Sequence, residues 1–214
     1  MLKQRVKNKK LTQSSKKWLQ RQLNDEYVIQ ARKKGYRSRA SFKIIEIQQK
    51  FKIISKNSIV LDLGSSPGGW SQVIAPLCKR VIAVDLLDMQ PLTNVDFIKG
   101  DFQSSEVLDE IRRYLHTDKV DAIISDMAPN TCGIQKVDHL RILNLLEEVF
   151  DFAKKVLAPG ASMVTKTFQG NGSDLLLRQL RNSFKTVSNF KPNASRKQSV
   201  EIYVVCQGFR NVTA

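Results

Sequence analysis

Between residues 58 and 166 short apolar runs alternate with amphipathic stretches, and nearly every run ends at a glycine loop or an ionisable residue. Ser58–Leu63 leads into Gly64-Ser65-Ser66-Pro67-Gly68-Gly69-Trp70, Val81–Val84 into Asp85, and Phe97-Ile98 into Gly100-Asp101. Val120–Ser125 leads into Asp126, and Ala161–Thr165 into Lys166. Helical patterns are predicted from about Trp70 to Leu77, Ser105 to Leu115, and Asp138 to Leu157, the last stopped by Pro159-Gly160. A further helix is expected over Ser173–Asn182. Two strands follow, Phe184–Phe190 and Val200–Cys206, joined by the polar loop Lys191–Ser199. Strands alternating with helices argue an α/β fold, a mainly parallel, doubly wound sheet with helices on both faces. A length of 214 residues suits one such domain with a well-buried core.

Open parallel sheets gather ligands outside the carboxyl ends of their strands, so those ends are where a site belongs. A solvent-facing loop also favours glycine and charge, and each strand end alone says little; their co-occurrence carries the weight. The loop after Asp62-Leu63 has three glycines but not the G-x-G-x-x-G spacing, and Pro67 lies within it. A dinucleotide pyrophosphate is therefore disfavoured, and no G-x-x-x-x-G-K-[ST] is present for a triphosphate. The loop suits a nucleoside without phosphates, with Asp85 placed to accept hydrogen bonds from ribose hydroxyls. S-adenosylmethionine fits that description: a nucleoside with an amino-acid tail and a sulfonium. The plain alternative is a structural turn followed by a strand-end aspartate.

The net charge of +15 sits at one end. Residues 1–56 hold 17 Lys and Arg against 3 Asp and Glu, leaving 18 and 17 for the rest. Residues 1–15 are expected to form a flexible basic tail, and 16–214 one domain that includes a basic helical segment over 16–50. Within it Trp18, Leu19, Leu23, Tyr27, Val28 and Ala31 recur at helical spacing and predict a helix or helix pair up to about Lys34. Gly35 interrupts it, and Ser38 or Ser41 is placed to cap a second helix running to about Lys50. Concentrated basicity favours phosphate backbones through Coulomb attraction and counterion release, with a solvated tail as the plain alternative.

No apolar run approaches a membrane span, and no signal peptide is expected. Cys78, Cys132 and Cys206 are odd in number and widely spaced, which argues a reducing compartment with neither disulfide nor zinc site. His116 and His139 are isolated, so no metal is expected. The expected location is the cytoplasm. The mitochondrial matrix is the alternative, because residues 1–23 lack acids, although they are richer in Lys than in Arg.

The motifs also carry a resemblance. Tyr36-Arg37-Ser38-Arg39-Ala40-Ser41-Phe42-Lys43, Asp62-Leu63-Gly64 with Pro67-Gly68-Gly69-Trp70-Ser71-Gln72, Asp85-Leu86-Leu87, Gly100-Asp101-Phe102 and Asp126-Met127-Ala128-Pro129-Asn130 are similar to those of the FtsJ/RlmE family, as are Lys166 and Glu201. That family comprises large-subunit ribosomal RNA 2′-O-methyltransferases with a Rossmann-like class I methyltransferase fold. The likeness runs from about Trp18 to Phe209, in order. Ser65-Ser66 departs from it, standing where small alanines are common, which puts the loop's meeting with the donor's amino-acid tail in question.

The resemblance implies a catalytic tetrad of Lys43, Asp126, Lys166 and Glu201. Lys166 is the implied base, with Lys43 as the neighbouring cation that eases its deprotonation and orients the hydroxyl. Asp126 fixes Lys166, and Glu201 orients Lys43 or the ribose. Gly68 and Trp70 are implied contacts of S-adenosylmethionine, with Asp85 at its ribose, Asp101 near the adenine and Asp126 near the methionine part. Trp70 read alone is a core residue. The implied substrate is 23S ribosomal RNA, at a uridine in the A-loop of the peptidyl transferase centre, within the large subunit or its precursor. A monomer is expected. The rivals are methylation of another RNA such as tRNA, and a non-catalytic ribosome-assembly RNA-binding protein.

Overall fold

The computed structural model describes residues 12–115, 119–130, 132–170 and 174–210. Most of the expected tail, and His116, lie outside the described residues. The helical segment is a pair, α1 (Gln13–Leu23) and α2 (Glu26–Lys33). Helix α1 begins two residues before Ser15, with the Thr12 hydroxyl accepting from Ser15 N. Asp25 caps α2 through the backbone N–H groups of Tyr27 and Val28. Helix α3 (Ser41–Phe51) follows Ala40, and neither Ser38 nor Ser41 supplies a side-chain cap. Ser41 Oγ instead donates to Gly69 O at 2.8 Å, tying α3 to the glycine loop.

Beyond α3 the elements run β1 (Ile59–Leu63), α4 (Gly69–Ile74), β2 (Arg80–Asp85), β3 (Val95–Lys99), α5 (Ser105–Tyr114), β4 (Val120–Ser125), α6 (Gln135–Val156), β5 (Leu157–Phe168), α7 (Asp174–Ser183), β6 (Phe184–Phe190) and β7 (Glu201–Phe209). They form one sheet of order β3-β2-β1-β4-β5-β7-β6. Its first five strands are parallel; β7 enters antiparallel to both β5 and β6. The expected α/β sheet with helices on both faces is what the chain builds. Strand alternation feeds both faces. Leu61, Leu63, Ile82, Val84 and Ile123 pack with α5, α6 and α7, while Val60, Val81, Ala122 and Ile124 pack with α3 and α4. Ala31, Phe42 and Ala194 form a small third core, which seats α2 and α3 on the β6–β7 loop.

The α6–β5 boundary differs from expectation, and β7 runs on to Phe209, past the expected end at Cys206. Pro159-Gly160 does not end α6; the helix stops at Val156 and β5 starts at Leu157. Leu157 pairs with Val120 and Ser162 with Ala122, so β5 makes an irregular bulge opposite β4 and accommodates both residues there.

Candidate active site

Lys166 lies directly opposite Tyr203 in the β5–β7 ladder, and Glu201 is two residues from Tyr203 on the same strand. Strand periodicity therefore puts all three on one face, the face where Val164, Tyr203 and Val205 pack under α3. Ile44 and Ile47 seat α3 on that core and bring Lys43 over the strands. Strand β4 ends at Ser125, so Asp126 is the first residue past the sheet.

The structure brings Lys43, Asp126, Lys166 and Glu201 into one hydrogen-bonded cluster. Lys166 Nζ is 2.7 Å from Asp126 Oδ1 and donates to the Asp126 backbone oxygen at 2.6 Å. Lys43 Nζ is 2.9 Å from Glu201 Oε1 and 3.5 Å from Asp126 Oδ1. Tyr203, which the sequence reading missed, completes it: its hydroxyl accepts from Lys43 Nζ at 3.0 Å and donates to Asp126 Oδ1. Both lysines are buried. Burial pushes the Asp126 carboxyl up, but the Lys166 and Lys43 charges outweigh it and hold the group below the usual carboxylate range. Glu201 follows the same pattern, burial being overcome chiefly by Lys43. Burial, Asp126 and Glu201 push Tyr203 well above the ordinary phenol value, so it stays a neutral donor. Two ammoniums thus face two carboxylates across a fixed phenol.

Two cavities lie near the cluster: Lys43 and Glu201 line the smaller, while the larger is reached only through Met127, next to Asp126. The larger, about 1170 Å³, lies at the carboxyl ends of β1, β2 and β4 and reaches under α6. Gly64, Asp85, Asp101, Phe102, Met127 and Pro129 are among the residues that line it. The Asp85 carboxylate accepts from Ser66 N at 2.7 Å and Leu87 N at 2.8 Å, and Asp101 accepts from Gln103 N at 3.0 Å. At Gly64, φ is +72° and a Cβ would come 2.1 Å from Met127 Cγ, so only glycine fits. The Ser65 hydroxyl next to it is buried without a hydrogen-bond partner among the described residues. Volume, two fixed carboxylates and apolar walls fit a nucleoside with an amino-acid tail.

Gly68 and Trp70 do not line this cavity. Gly68 (φ +97°) turns the chain into α4 beside Arg37, whose guanidinium donates to the carbonyls of Pro67, Gln90 and Pro91. The Trp70 indole faces the core: it is 3% exposed, packs against Tyr203 and donates to Ala40 O at 2.9 Å. Its side chain is thus taken up by packing, which leaves only its backbone for a donor contact. No group of His, Cys, Asp and Glu able to hold a metal occurs among the described residues. Cys132 is exposed, and Asp138 is engaged by the backbone N–H groups of Cys132 and Gly133.

A sheet of this order, with its ligand cavity at the strand ends and an ionic cluster at its edge, defines a Rossmann-like methyltransferase. The FtsJ-like methyltransferase family matches residues 36–209, and the chain belongs to that family. A ribosomal RNA large subunit methyltransferase E from Francisella philomiragia is 46% identical over 200 residues, covering 92% of this chain and 97% of its own. The protein of that name from Francisella tularensis subsp. holarctica is 49% identical over the same shares. Among solved structures, a Plasmodium falciparum protein assigned to the ribosomal RNA methyltransferases superposes with a TM-score of 0.73 at 32% identity, covering 81% of this chain and 98% of that one.

Proposed function

We propose that this enzyme methylates a ribose 2′-hydroxyl of large-subunit ribosomal RNA, with S-adenosylmethionine as the donor. The observation that carries the reading is the buried Lys43–Asp126–Lys166–Glu201 cluster, which is joined to the strand-end cavity by Met127, the residue after Asp126, and to the smaller, basic cavity by Lys43 and Glu201. The donor, when bound, supplies a methyl group already activated by a sulfonium. Asp85 and Asp101 would hold its nucleoside.

A ribose hydroxyl is a poor nucleophile until its proton is accepted or firmly hydrogen-bonded. Lys166 is assigned that proton: its Nζ, an ammonium in the ion pair with Asp126, accepts it after first releasing a proton of its own to solvent. Lys43 orients the oxygen and stabilises the negative charge that develops on it. Asp126 and Glu201 keep the two amines aimed, and most of the rate then comes from positioning.

The names of the Francisella relatives support large-subunit ribosomal RNA as the polymer. The finer assignment, a uridine of the A-loop within the large subunit or its precursor particle, rests on the motif resemblance. We further assign a cytoplasmic location, in keeping with those bacterial relatives, and a monomer.

The test is transfer from labelled donor to purified large-subunit particles, followed by mapping of the modified nucleotide. A 2′-O-methylribose is expected. Label on a base instead, or no label while tRNA accepts it, would sink the reading.

A further inference from the structure

The second cavity, about 470 Å³, opens beside Lys43 and Glu201 and is walled largely by Arg21, Arg39, Arg196 and Ser199. Its guanidiniums come from three separate stretches of chain: α1, the α2–α3 turn and the β6–β7 loop. Gathering like charges costs Coulomb energy, and two carboxylates answer it, Glu201 on the cavity wall and Asp25 on the arginines. Asp25 Oδ2 is 2.7 Å from Arg39 Nη1 and 3.4 Å from Arg196 Nε. Asp25 and Glu201 cannot neutralise three guanidiniums and Lys43, so the cavity stays positive.

Donors remain for a ligand. Among the described residues, Arg39 Nε is buried with no hydrogen-bond partner, and Arg196 spends only Nε on Asp25. The loop that carries Arg196 is held firmly. The Glu46 carboxylate accepts from Asn193 N at 2.6 Å and Ala194 N at 2.9 Å, Arg39 Nη2 donates to Ala194 O, and Lys191 Nζ donates to Ser199 O at 2.7 Å.

In RNA the 2′-oxygen and the 3′-phosphodiester sit on neighbouring carbons of one ribose. A hydroxyl presented to Lys43 and Lys166 therefore brings an anion with it, linked through C3′ and O3′ of the same ribose. We infer that this cavity is the receptor for the phosphodiester immediately 3′ to the methylated ribose, bound by the guanidiniums of Arg196 and Arg39 with Arg21 at its rim. Asp25 is the positioning residue that aligns the two arginines. Guanidinium forks match phosphate oxygens in pairs, which a lysine would not do. The inference rests on the ribose 2′-hydroxyl reading above.

The test pairs Arg196→Gln with a short RNA that spans the mapped nucleotide and carries one neutral methylphosphonate, either 3′ or 5′ to the target ribose. Binding is read by fluorescence anisotropy and transfer by kcat and KM. With unmodified RNA, Arg196→Gln is expected to raise Kd and KM about tenfold, leaving kcat and affinity for S-adenosylmethionine near wild type. The 3′ methylphosphonate should weaken wild type to the same degree and add little to Arg196→Gln, whereas the 5′ linkage should affect both proteins alike. Asp25→Asn should raise KM several-fold, an effect absent with the 3′ methylphosphonate. Additive losses from Arg196→Gln and the 3′ methylphosphonate, or no loss from either, would overturn the inference. If wild type methylates no ribose at all, the underlying reading fails, and the anisotropy arm still reports on the cavity.

Discussion

Lys166 is held twice by one residue: its Nζ meets the Asp126 carboxylate at 2.7 Å and the Asp126 backbone carbonyl at 2.6 Å. The two contacts fix the amine's direction as well as its charge, leaving one N–H or lone pair free for a substrate. Asp126 belongs to the turn beyond β4, and Met127 next to it lines the larger cavity. In the proposed reaction this geometry separates proton handling from donor binding. Lys166→Ala should therefore abolish transfer, with at least a 1000-fold loss in kcat as expected when a proton acceptor is removed from a positioned site. Calorimetry should find donor affinity within about threefold of wild type, below 1 kcal/mol. Equal loss of both would mean that Lys166 serves the cofactor site instead.

Tyr203 couples the two halves of the cluster, accepting from Lys43 and donating to Asp126. Tyr203→Phe keeps the ring that packs against Trp70 and removes only the hydroxyl. Hydrogen bonds to charged groups are worth roughly 1.5–3 kcal/mol, so kcat should fall at least tenfold. KM for RNA and donor affinity should hold. A rise in KM with kcat unchanged would place the phenol in substrate binding instead.

The sheet was legible in the sequence because each β-strand from β1 to β5 combines an apolar run with a strand-end polar residue, a pattern set by local alternation. Tyr203 could have been found the same way, since it stands two residues after Glu201 on a strand and must share its face. The α3 cap was not legible: Ser41 Oγ is drawn to Gly69 O, 28 residues away in the chain. Nor was the start of β5, where pairing with Val120 overrides the Pro159-Gly160 stop signal. The Trp70 indole faces Tyr203, a partner no local pattern announces. The Asp25–Arg39–Arg196 cluster joins groups from the two ends of the domain, and only the third core brings those ends together.

Asp62 lies beneath the glycine loop, 1% exposed, accepting from Ser71 Oγ at 2.6 Å. Burial pushes its pKa up to about 7, against the Ser71 bond and with help from Asp126 and Asp85. A carboxyl raised on folding makes the native state bind more protons than the unfolded chain between the ordinary aspartate value and about 7. Stability from this group is therefore full at low pH and is lost as pH climbs through that window. Asp62→Asn keeps an oxygen for Ser71 and removes the ionisation. Its melting temperature should gain on wild type as pH rises from 5 to 8, by several degrees; the ceiling is about 4 kcal/mol. A constant difference across that range would mean that Asp62 is already ionised when folded.

The basic N-terminal segment offers a test independent of the cluster. Arg32 and Lys33 are exposed at the end of α2, apart from the Asp25 ion pairs. If RNA phosphates run along this side toward Lys43, each cation they meet releases counterions, and log affinity falls with log salt by about 0.7–0.9 per contact. Replacing both residues by Glu should weaken RNA binding and make that slope shallower by roughly one to two. Donor affinity and kcat should stay near wild type, because neither side chain lines the strand-end cavity. Titrations of labelled RNA at several salt concentrations measure the slope directly. If it does not change, this end of α2 is only a solvated surface. Steering would then fall to the arginines of the smaller cavity, whose removal should change the slope where these substitutions did not.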